Sequence, residues 1–263
     1  MKILVFIKQV ADTEARIIIG SDGRSLEIEN KYAINIFDEI AVEEAIRIKE
    51  SRADTEITVC TYAPQRAVEA LRTAIAMGAD KAFLIDSTNG EVDDPLVVAR
   101  ILAGFAKAES FDIILCGRQA IDDENANIGP MVAQFLDVPH VSLVMKFDIV
   151  NDSTVQVLSE VEGGKKVSEV TLPALFTTQK GLNEPRVPLI TGVMKAMKAQ
   201  INVIDPAAAD ATFGPIGHDA STVSVLSYES SPERPPVKII DGASAEEKVK
   251  ELIRSLKEDA KAL

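Results

Sequence analysis

Residues 56–85 read EITVCTYAPQRAVEALRTAIAMGADKAFLI, two apolar runs that flank a helical pattern. Glu56–Thr61 and Ala82–Ile85 are rich in apolar and β-branched residues, which is typical of strands. Pro64 suits the first turn of the intervening helix, and Gly78 is a natural terminator. The stretch therefore predicts a strand, a helix and a second strand, the unit from which parallel sheets are built.

The same alternation covers the first two-thirds of the chain. Strands are predicted at Ile3–Ile7 and Phe111–Cys116. Asp38 can cap a helix that runs to about residue 50, and Pro95 begins another amphipathic helix. These elements predict an α/β fold that is Rossmann-like, with helices on both faces of an open parallel sheet.

From His140 onward the period changes, since strand patterns follow one another without helices between them. They are Val141–Val150, Thr154–Leu158 and Ser168–Leu172, with a plausible hairpin turn at Gly163–Gly164. An antiparallel extension of the sheet is therefore predicted.

The C-terminal part differs in composition. Pro206–Pro236 is rich in Ala, Ser, Pro and Gly and has no sustained period, which predicts an extended arm. Residues 244–247 have the form of a capping box and precede an apolar helical pattern. We expect a nucleotide-binding domain over residues 1–205 and, over residues 206–263, an arm and a helix that packs on a partner chain.

Composition excludes several classes of function. The 28 basic and 41 acidic residues give a net charge of -13, which opposes binding to nucleic acid. No apolar run is long enough to insert into a membrane, and the first residues lack a secretory pattern, so a cytoplasmic location is expected. Cys60 and Cys116 follow apolar runs and are expected to be buried, while His140 and His218 are expected to be structural or surface residues.

Four polar segments are expected to meet at one edge of the sheet. They are Phe6–Gln9, Asn35–Asp38, Thr61–Ala63 and Gly117–Gly129. In open parallel sheets, ligands bind beyond the carboxyl ends of the strands, and the free amide groups where a helix begins suit a phosphate.

The charges in the last of these segments leave an alternative open. Its three carboxylates, at residues 122–124, argue against a phosphate unless they point outward, so a solvated loop that caps a helix remains possible. The chain contains neither the G-x-G-x-x-G nor the P-loop motif, and no pattern typical of a hydrolase or metalloenzyme. The pair Glu43 and Glu44 is expected on a solvated helix face.

Six short stretches resemble the electron transfer flavoprotein beta family, in order and over nearly the whole chain. They are FDEIAVEEA (37–45), RTAIAMGAD (72–80), GRQAIDD (117–123), LPAL (172–175), LNEPR (182–186) and MKA (194–196). The resemblance implies an electron carrier subunit rather than an enzyme. It implies a heterodimer whose alpha subunit holds the redox-active FAD, takes electrons from dehydrogenases such as acyl-CoA dehydrogenases, and passes them to a quinone reductase or another acceptor.

The resemblance also implies a structural AMP in this subunit. Its contacts would be Phe6, Asn35, Ile36, Phe37, Asp38, Tyr62, Asp122, Asp123, Glu124, Asn125, Ala126, Asn127, Ile128, Gly129, Pro130, Met131, Val132 and Ala133. Bifurcating family members hold FAD in this site and oxidise NADH. Their loop usually reads Gly-Asp-Thr where this chain has residues 123–125, which favours AMP, although residues 128–130 are closer to the bifurcating form.

Residues 181–198 match the segment with which the family anchors dehydrogenases. The implied partner contacts are Leu182, Asn183, Glu184, Pro185 and Arg186. Leu182 is expected to be an exposed anchor, with a place in the protein's own core as the alternative, and Arg186 is expected to form an intramolecular pair. Glu160 is implied to lie near the flavin of the alpha subunit. A nucleotide-sensing regulator of universal-stress-like fold is the alternative from another class.

Overall fold

The structure is a computed structural model that describes residues 1–88, 92–208, 213–216, 218–232 and 236–262. Its strands are β1 (Lys2–Phe6), β2 (Gln9–Ala11), β3 (Ile17–Ile19), β4 (Leu26–Ile28), β5 (Tyr32–Ile34), β6 (Glu56–Ala63), β7 (Lys81–Asp86), β8 (Ile113–Gly117), β9 (His140–Asn151), β10 (Thr154–Val161), β11 (Gly164–Thr171), β12 (Ala174–Thr178) and β13 (Asn202–Ile204). Its α-helices are α1 (Ile36–Ser51), α2 (Val68–Met77), α3 (Pro95–Glu109), α4 (Ile128–Leu136), α5 (Ile190–Lys198) and α6 (Ala245–Glu258).

Nine of these strands form one sheet, in the order β11-β10-β9-β12-β8-β1-β6-β7-β13. Neighbouring strands from β9 to β13 in this order are parallel. The pairs β9–β10 and β10–β11 are antiparallel. The α/β class, the mainly parallel sheet and its antiparallel extension are confirmed.

Both faces of the sheet are covered, because successive side chains of a strand point to opposite sides. Ile3 and Val5 of β1 belong to a first apolar cluster, which also contains the inner faces of α1 and α2. Leu4 and Phe6 belong to a second cluster, with residues of α3 and α4. Helices therefore pack on both faces, as predicted.

The sequence pattern does not predict β12, although this strand lies in the middle of the sheet between β8 and β9. All five of its residues are buried. A strand buried on both faces shows no alternation of polar and apolar residues, so the period that reveals the other strands is missing here.

The chain divides into two compact units, residues 1–226 and 227–263. The domain boundary expected after residue 205 lies inside the first unit, because Phe213 and Ile216 pack against the second cluster. Within the expected arm, residues 209–212, 217 and 233–235 lie outside the described residues.

The second unit contains helix α6 and the capping box that predicts it. The hydroxyl of Ser244 accepts a hydrogen bond from the amide of Glu247 at 3.2 Å, and the carboxylate of Glu247 accepts one from the amide of Ala243 at 2.9 Å. The predicted helix start is confirmed. Among the described residues, no helix has the length and apolar character needed to cross a bilayer.

Candidate functional site

One carboxylate joins the loops at the carboxyl ends of β1 and β8. Asp38 accepts hydrogen bonds from the amide of Lys8 at 2.8 Å and from the amide of Gly117 at 2.7 Å. The expectation that Asp38 caps α1 is wrong. The helix begins at Ile36, the N-cap position belongs to Asn35, and the Asp38 carboxylate is already occupied by the two neighbouring loops.

The Asp38 side chain is sealed from water, with only 5% of the residue exposed. Burial raises the pKa of this carboxyl to about 7, although the hydrogen bonds from the Lys8 and Gly117 amides act in the opposite direction. The group therefore titrates near neutral pH, unlike an exposed aspartate.

Asn35 adds an unpaired acceptor beside this carboxylate. Its side-chain nitrogen donates to the carbonyl of Gln119 at 2.8 Å, which ties α1 to the loop after β8. Its side-chain oxygen is buried and has no hydrogen-bond partner among the described residues. Since buried polar atoms are nearly always paired, this oxygen is available to a ligand donor.

The loop before α4 leaves several consecutive backbone amides without a hydrogen-bond partner within the described ranges. Glu124 and Ala126 adopt the left-handed conformation, with φ of 53° and 54°, and the side chain of Asn127 makes no capping hydrogen bond. In the described part of the chain, the amides of residues 126–129 have no acceptor. Consecutive free amides at a kinked helix start form a concavity that suits an anion.

Lys8 lowers the negative charge of the acidic loop, which would otherwise repel a phosphate. Its ammonium group lies 2.8 Å from the carboxylate of Asp122 and 3.3 Å from that of Asp123. Burial lowers the pKa of Lys8, but the hydrogen bonds and ion pairs with these two carboxylates outweigh it and raise the pKa above its ordinary value. One lysine thus pairs with two of the three loop carboxylates and offsets one unit of their negative charge.

Gly129 allows the start of α4 to press against the end of the sheet. A Cβ atom at this position would lie 2.7 Å from the Thr177 side chain and 3.1 Å from the sulfur of Cys116. Because real Cβ contacts are not this short, no larger residue fits without a shift of the helix. The close approach fixes the position of the free amides.

Four other residues predicted for nucleotide binding fall into two groups. Phe6, Val132 and Ala133 are buried in the second cluster. Only their backbone groups can reach the edge of the sheet where the predicted loops meet, hereafter the rim. Tyr62 is half-buried, and its hydroxyl accepts a hydrogen bond from the amide of Val92 at 3.2 Å. The structure therefore brings the predicted loops together, while some of the predicted side chains point into the core.

Two open grooves are lined by residues other than those predicted for nucleotide binding. One runs past β2 and the start of α2 and is lined by Gln9, Asp12, Glu14, Asn30, Lys31, Tyr32, Gln65, Arg66, Val68 and Glu69. The other lies beside the outer end of α1 and is lined by Glu44, Arg47, Ile48, Ser51, Arg52, Lys146, Phe147, Asp148, Ile149 and Leu182. Both carry charges of both signs, so neither has the one-sided character of an anion site.

Residues 181–198 are hereafter called the docking segment, after the role that the family resemblance predicts for them, and they expose a different set of apolar residues from the one expected. Leu182 is half-buried and packs against the first cluster, as the core alternative predicts. The exposed apolar side chains are Val187 (87%), Leu189 (75%), Ile190 (80%), Val193 (44%), Met194 (56%) and Met197 (71%), hereafter the apolar face.

Glu43 and Glu44 are not on a solvated helix face, so that expectation is wrong. Only 5% and 6% of these residues are exposed. Glu43 binds the guanidinium of Arg186, which confirms the predicted intramolecular pair, and Glu44 accepts a hydrogen bond from Asn183. Long-range partners in the docking segment thus explain the burial of two adjacent charges.

The other polar residues of interest have simple surroundings. Glu160 is exposed on β10 and accepts a hydrogen bond from the Gln179 side chain at 3.2 Å. Cys60 and Cys116 are buried and free, as expected, and burial raises the pKa of both thiols. Burial lowers the pKa of His140, whereas the side chain of His218 lies outside the described residues. The described residues contain no cluster of acidic, His or Cys side chains that could hold a metal.

Comparison with known proteins gives the family. The model of the electron transfer flavoprotein domain matches residues 25–209. The chain belongs to the electron transfer flavoprotein family. A human protein named electron transfer flavoprotein subunit beta is 37% identical over 238 residues, which are 89% of this chain and 90% of the relative.

Bacterial relatives extend the similarity to the full length. A protein of the same name from Bradyrhizobium diazoefficiens is 37% identical to this chain over 266 residues, and one from Bacillus subtilis is 34% identical to this chain over 267 residues. Both alignments cover 100% of this chain and 100% of the relative. The resemblance stated from the sequence motifs is therefore confirmed. Membership of the electron transfer flavoprotein family places the chain in an electron-transfer system that depends on a flavin.

Proposed function

We propose that this chain is the beta subunit of a heterodimeric electron transfer flavoprotein, whose alpha subunit binds the redox-active FAD. The full-length similarity to proteins named subunit beta supports the assignment. The chain itself would carry out no bond chemistry. It would bind an adenylate, contact dehydrogenases and keep the flavin of its partner within electron-transfer distance of them.

The single observation that favours an adenylate is the set of unpaired groups at the rim. A phosphate would accept hydrogen bonds from the free amides of residues 126–129, and the buried oxygen of Asn35 would accept one from a ribose hydroxyl or the adenine amino group. Adenine would lie near the backbone of Phe6 and Tyr62. AMP has no redox chemistry, so its role here would be to stabilise the folded subunit.

The same rim bears on the alternative of FAD in this subunit. FAD needs space for a diphosphate, and the side chains of Asp122 and Asp123 are fixed beside the loop by Lys8. Their carboxylates would lie near a second phosphate, whose negative charge they oppose. AMP, with one phosphate, is therefore the nucleotide that we propose, and a bifurcating subunit that oxidises NADH would instead contain a second flavin.

The docking segment is proposed to contact acyl-CoA dehydrogenases through its apolar face. Leu189 and Ile190 are among its most exposed members, whereas Leu182 is half-buried against the protein's own core. Exposed apolar side chains that enter a partner's pocket give much of the free energy of association. We therefore assign the anchor to Leu189 and Ile190 rather than to Leu182.

The second unit is proposed to pack on the alpha subunit. Its helix α6 leaves Val249, Leu252 and Ile253 about half exposed, at 53%, 45% and 43%. These residues recur at helical spacing and form a stripe that a partner could cover. Glu160, exposed on the β10–β11 hairpin, is proposed to face the flavin of the same partner.

Co-expression with an electron transfer flavoprotein alpha subunit tests this function. We expect a 1:1 heterodimer whose flavin is reduced by an acyl-CoA dehydrogenase and its acyl-CoA substrate, and an alpha subunit alone that is reduced far more slowly. A chain that self-associates, ignores the alpha subunit and only binds nucleotide would instead support a regulator of universal-stress-like fold.

A further inference from the structure

The guanidinium of Arg186 is held by Glu43 of helix α1 in a bidentate arrangement. Its Nε atom lies 2.8 Å from Oε2 and its Nη2 atom 2.9 Å from Oε1 of Glu43. The backbone amide of Arg186 donates to the same carboxylate at 3.1 Å. Three hydrogen bonds from one residue to one carboxylate fix both the side chain and the local backbone.

Glu50 holds the other edge of the same guanidinium. This residue lies seven positions further along α1, two helical turns from Glu43. Its oxygens are 2.6 Å from Nη1 and 3.2 Å from Nη2 of Arg186. With both edges of the planar group occupied, Arg186 has little freedom to turn.

Asn183 forms a second attachment to α1. Its side-chain nitrogen donates to the carboxylate of Glu44 at 2.8 Å and to the carbonyl of Ile40 at 3.1 Å. Together the two attachments, hereafter the clamp, join residues that are about 140 positions apart in the chain. The start of the docking segment is therefore fixed to a helix of the central fold.

Burial of the Glu43 carboxylate costs free energy, which its three hydrogen bonds from Arg186 offset. Only 6% of the Glu43 side chain is exposed, and a buried carboxylate loses its hydration. An exposed pair elsewhere on the surface would have avoided that cost and contributed little to stability. The apolar face begins at Val187, one residue after Arg186, so the clamp fixes the backbone from which this face starts, while Arg72 of α2 donates to the carbonyl of Ala196 in α5.

We propose that Glu43, Glu44 and Glu50 are positioning residues for dehydrogenase docking, because they hold the apolar face in a single arrangement through Asn183 and Arg186. The inference rests on the proposed function, in which this face contacts the dehydrogenase. A segment that is already ordered loses less conformational entropy on binding than a mobile loop does. The clamp therefore increases the affinity of the carrier for its partner without touching that partner.

Steady-state kinetics of the purified heterodimer test the clamp, with an acyl-CoA dehydrogenase and its substrate as the probe. Arg186→Lys removes the fork geometry but keeps the charge, and Glu43→Gln removes the buried carboxylate. We expect each of these two variants to raise the KM for the carrier about tenfold and to leave kcat unchanged, because the variants weaken binding of the carrier and not the electron transfer that follows. Glu50→Gln, at a more exposed position, is expected to raise the KM about twofold to threefold.

Further measurements separate positioning from general destabilisation. In each clamp variant, amide hydrogen exchange is expected to accelerate in residues 187–198 and to stay unchanged in β1 and β6. Glu56→Gln is the matched control, because it removes one carboxylate from an exposed pair with Lys81. If Glu43→Gln does not yield folded protein, Arg186→Lys and Glu50→Gln carry the test, since both side chains are partly exposed.

Ile190→Ser separates failure of this inference from failure of the proposed function. A raised KM in Ile190→Ser and in the clamp variants, together with faster exchange in residues 187–198, supports the inference. A raised KM in Ile190→Ser with unchanged KM and exchange in the clamp variants overturns it and leaves docking by the apolar face intact. Unchanged kinetics in all of these variants overturn both.

Discussion

Replacing Asp38 by asparagine is expected to remove a pH dependence from the stability of the first unit. The carboxyl is 5% exposed and joins the loops after β1 and β8. Its pKa is about 7 in the folded chain, because of burial, against an ordinary value of 3.8. Between these two values the folded state binds more protons than the unfolded state, so the free energy of unfolding falls as the pH rises.

The magnitude follows from the two pKa values. Where the folded state binds one more proton than the unfolded state, the free energy of unfolding falls by about 1.4 kcal/mol for each pH unit. Between about pH 5 and about pH 8 the wild-type chain therefore loses roughly 2.5 kcal/mol of its free energy of unfolding through Asp38. Asparagine does not titrate, so the contribution of position 38 vanishes in the variant. The other titrating groups are common to both proteins and cancel in the comparison.

Urea unfolding of wild type and Asp38→Asn at about pH 5 and about pH 8, at fixed protein and nucleotide concentrations, measures the difference. We expect the wild type to lose about 2–3 kcal/mol more than the variant over this range. Asp54→Asn, whose side chain is 70% exposed, is the matched control and should follow the wild type. Equal pH dependence in wild type and Asp38→Asn would refute a buried carboxyl with a raised pKa at the rim.

Three further substitutions probe other features. Gly129→Ala should displace the start of α4 and lower AMP content at least about tenfold, because its Cβ would lie 2.7 Å from Thr177; unchanged nucleotide content contradicts the phosphate assignment. Asp94→Ala should destabilise the first unit by about 2–4 kcal/mol in urea unfolding. The reason is that this buried carboxylate caps α3 and also accepts hydrogen bonds from the backbone amide and the hydroxyl of Thr222. A loss below about 0.5 kcal/mol contradicts this role of Asp94. Ser244→Ala should lower the helicity of α6 by circular dichroism, with a cost of about 1 kcal/mol, whereas Ser221→Ala should not.

Local signals made most of the sheet and two of the helix starts predictable. Ser244 sits at the start of α6, and Pro95 occupies the first turn of α3, both as the sequence indicates. Capping chemistry involves residues within four positions of each other, so it can be inferred without knowledge of the fold. The rim was predictable for a different reason, since parallel strands place their carboxyl ends at one edge.

Long-range partners hid the most informative residues. The roles of Asp38 and Glu43 depend on residues 79 and 143 positions away. A charged residue in a helix usually predicts a solvated face. Only one local signal indicated that Glu43 and Glu44 are buried. Glu43 and Glu44 lie between the apolar pairs Ala41–Val42 and Ala45–Ile46, which together leave α1 without a wide polar face.

The unpaired amides before α4 could not be read from composition. Their orientation depends on the left-handed conformation of Glu124 and Ala126, which neither residue type favours. Helix α5 is not among the predicted elements, although Ile190, Val193, Met194 and Met197 recur at helical spacing and indicate a helix. The left-handed residues before α4 depart from local rules, whereas α5 follows them.

Nucleotide extraction from the purified heterodimer, followed by mass spectrometry and flavin absorbance, tests the adenylate site most directly. We predict one AMP and one FAD for each heterodimer, with AMP lost in Gly129→Ala and retained in the control Glu56→Gln. A heterodimer that contains one FAD and no adenylate, or two FAD and no AMP, would contradict an AMP held by the free amides of residues 126–129.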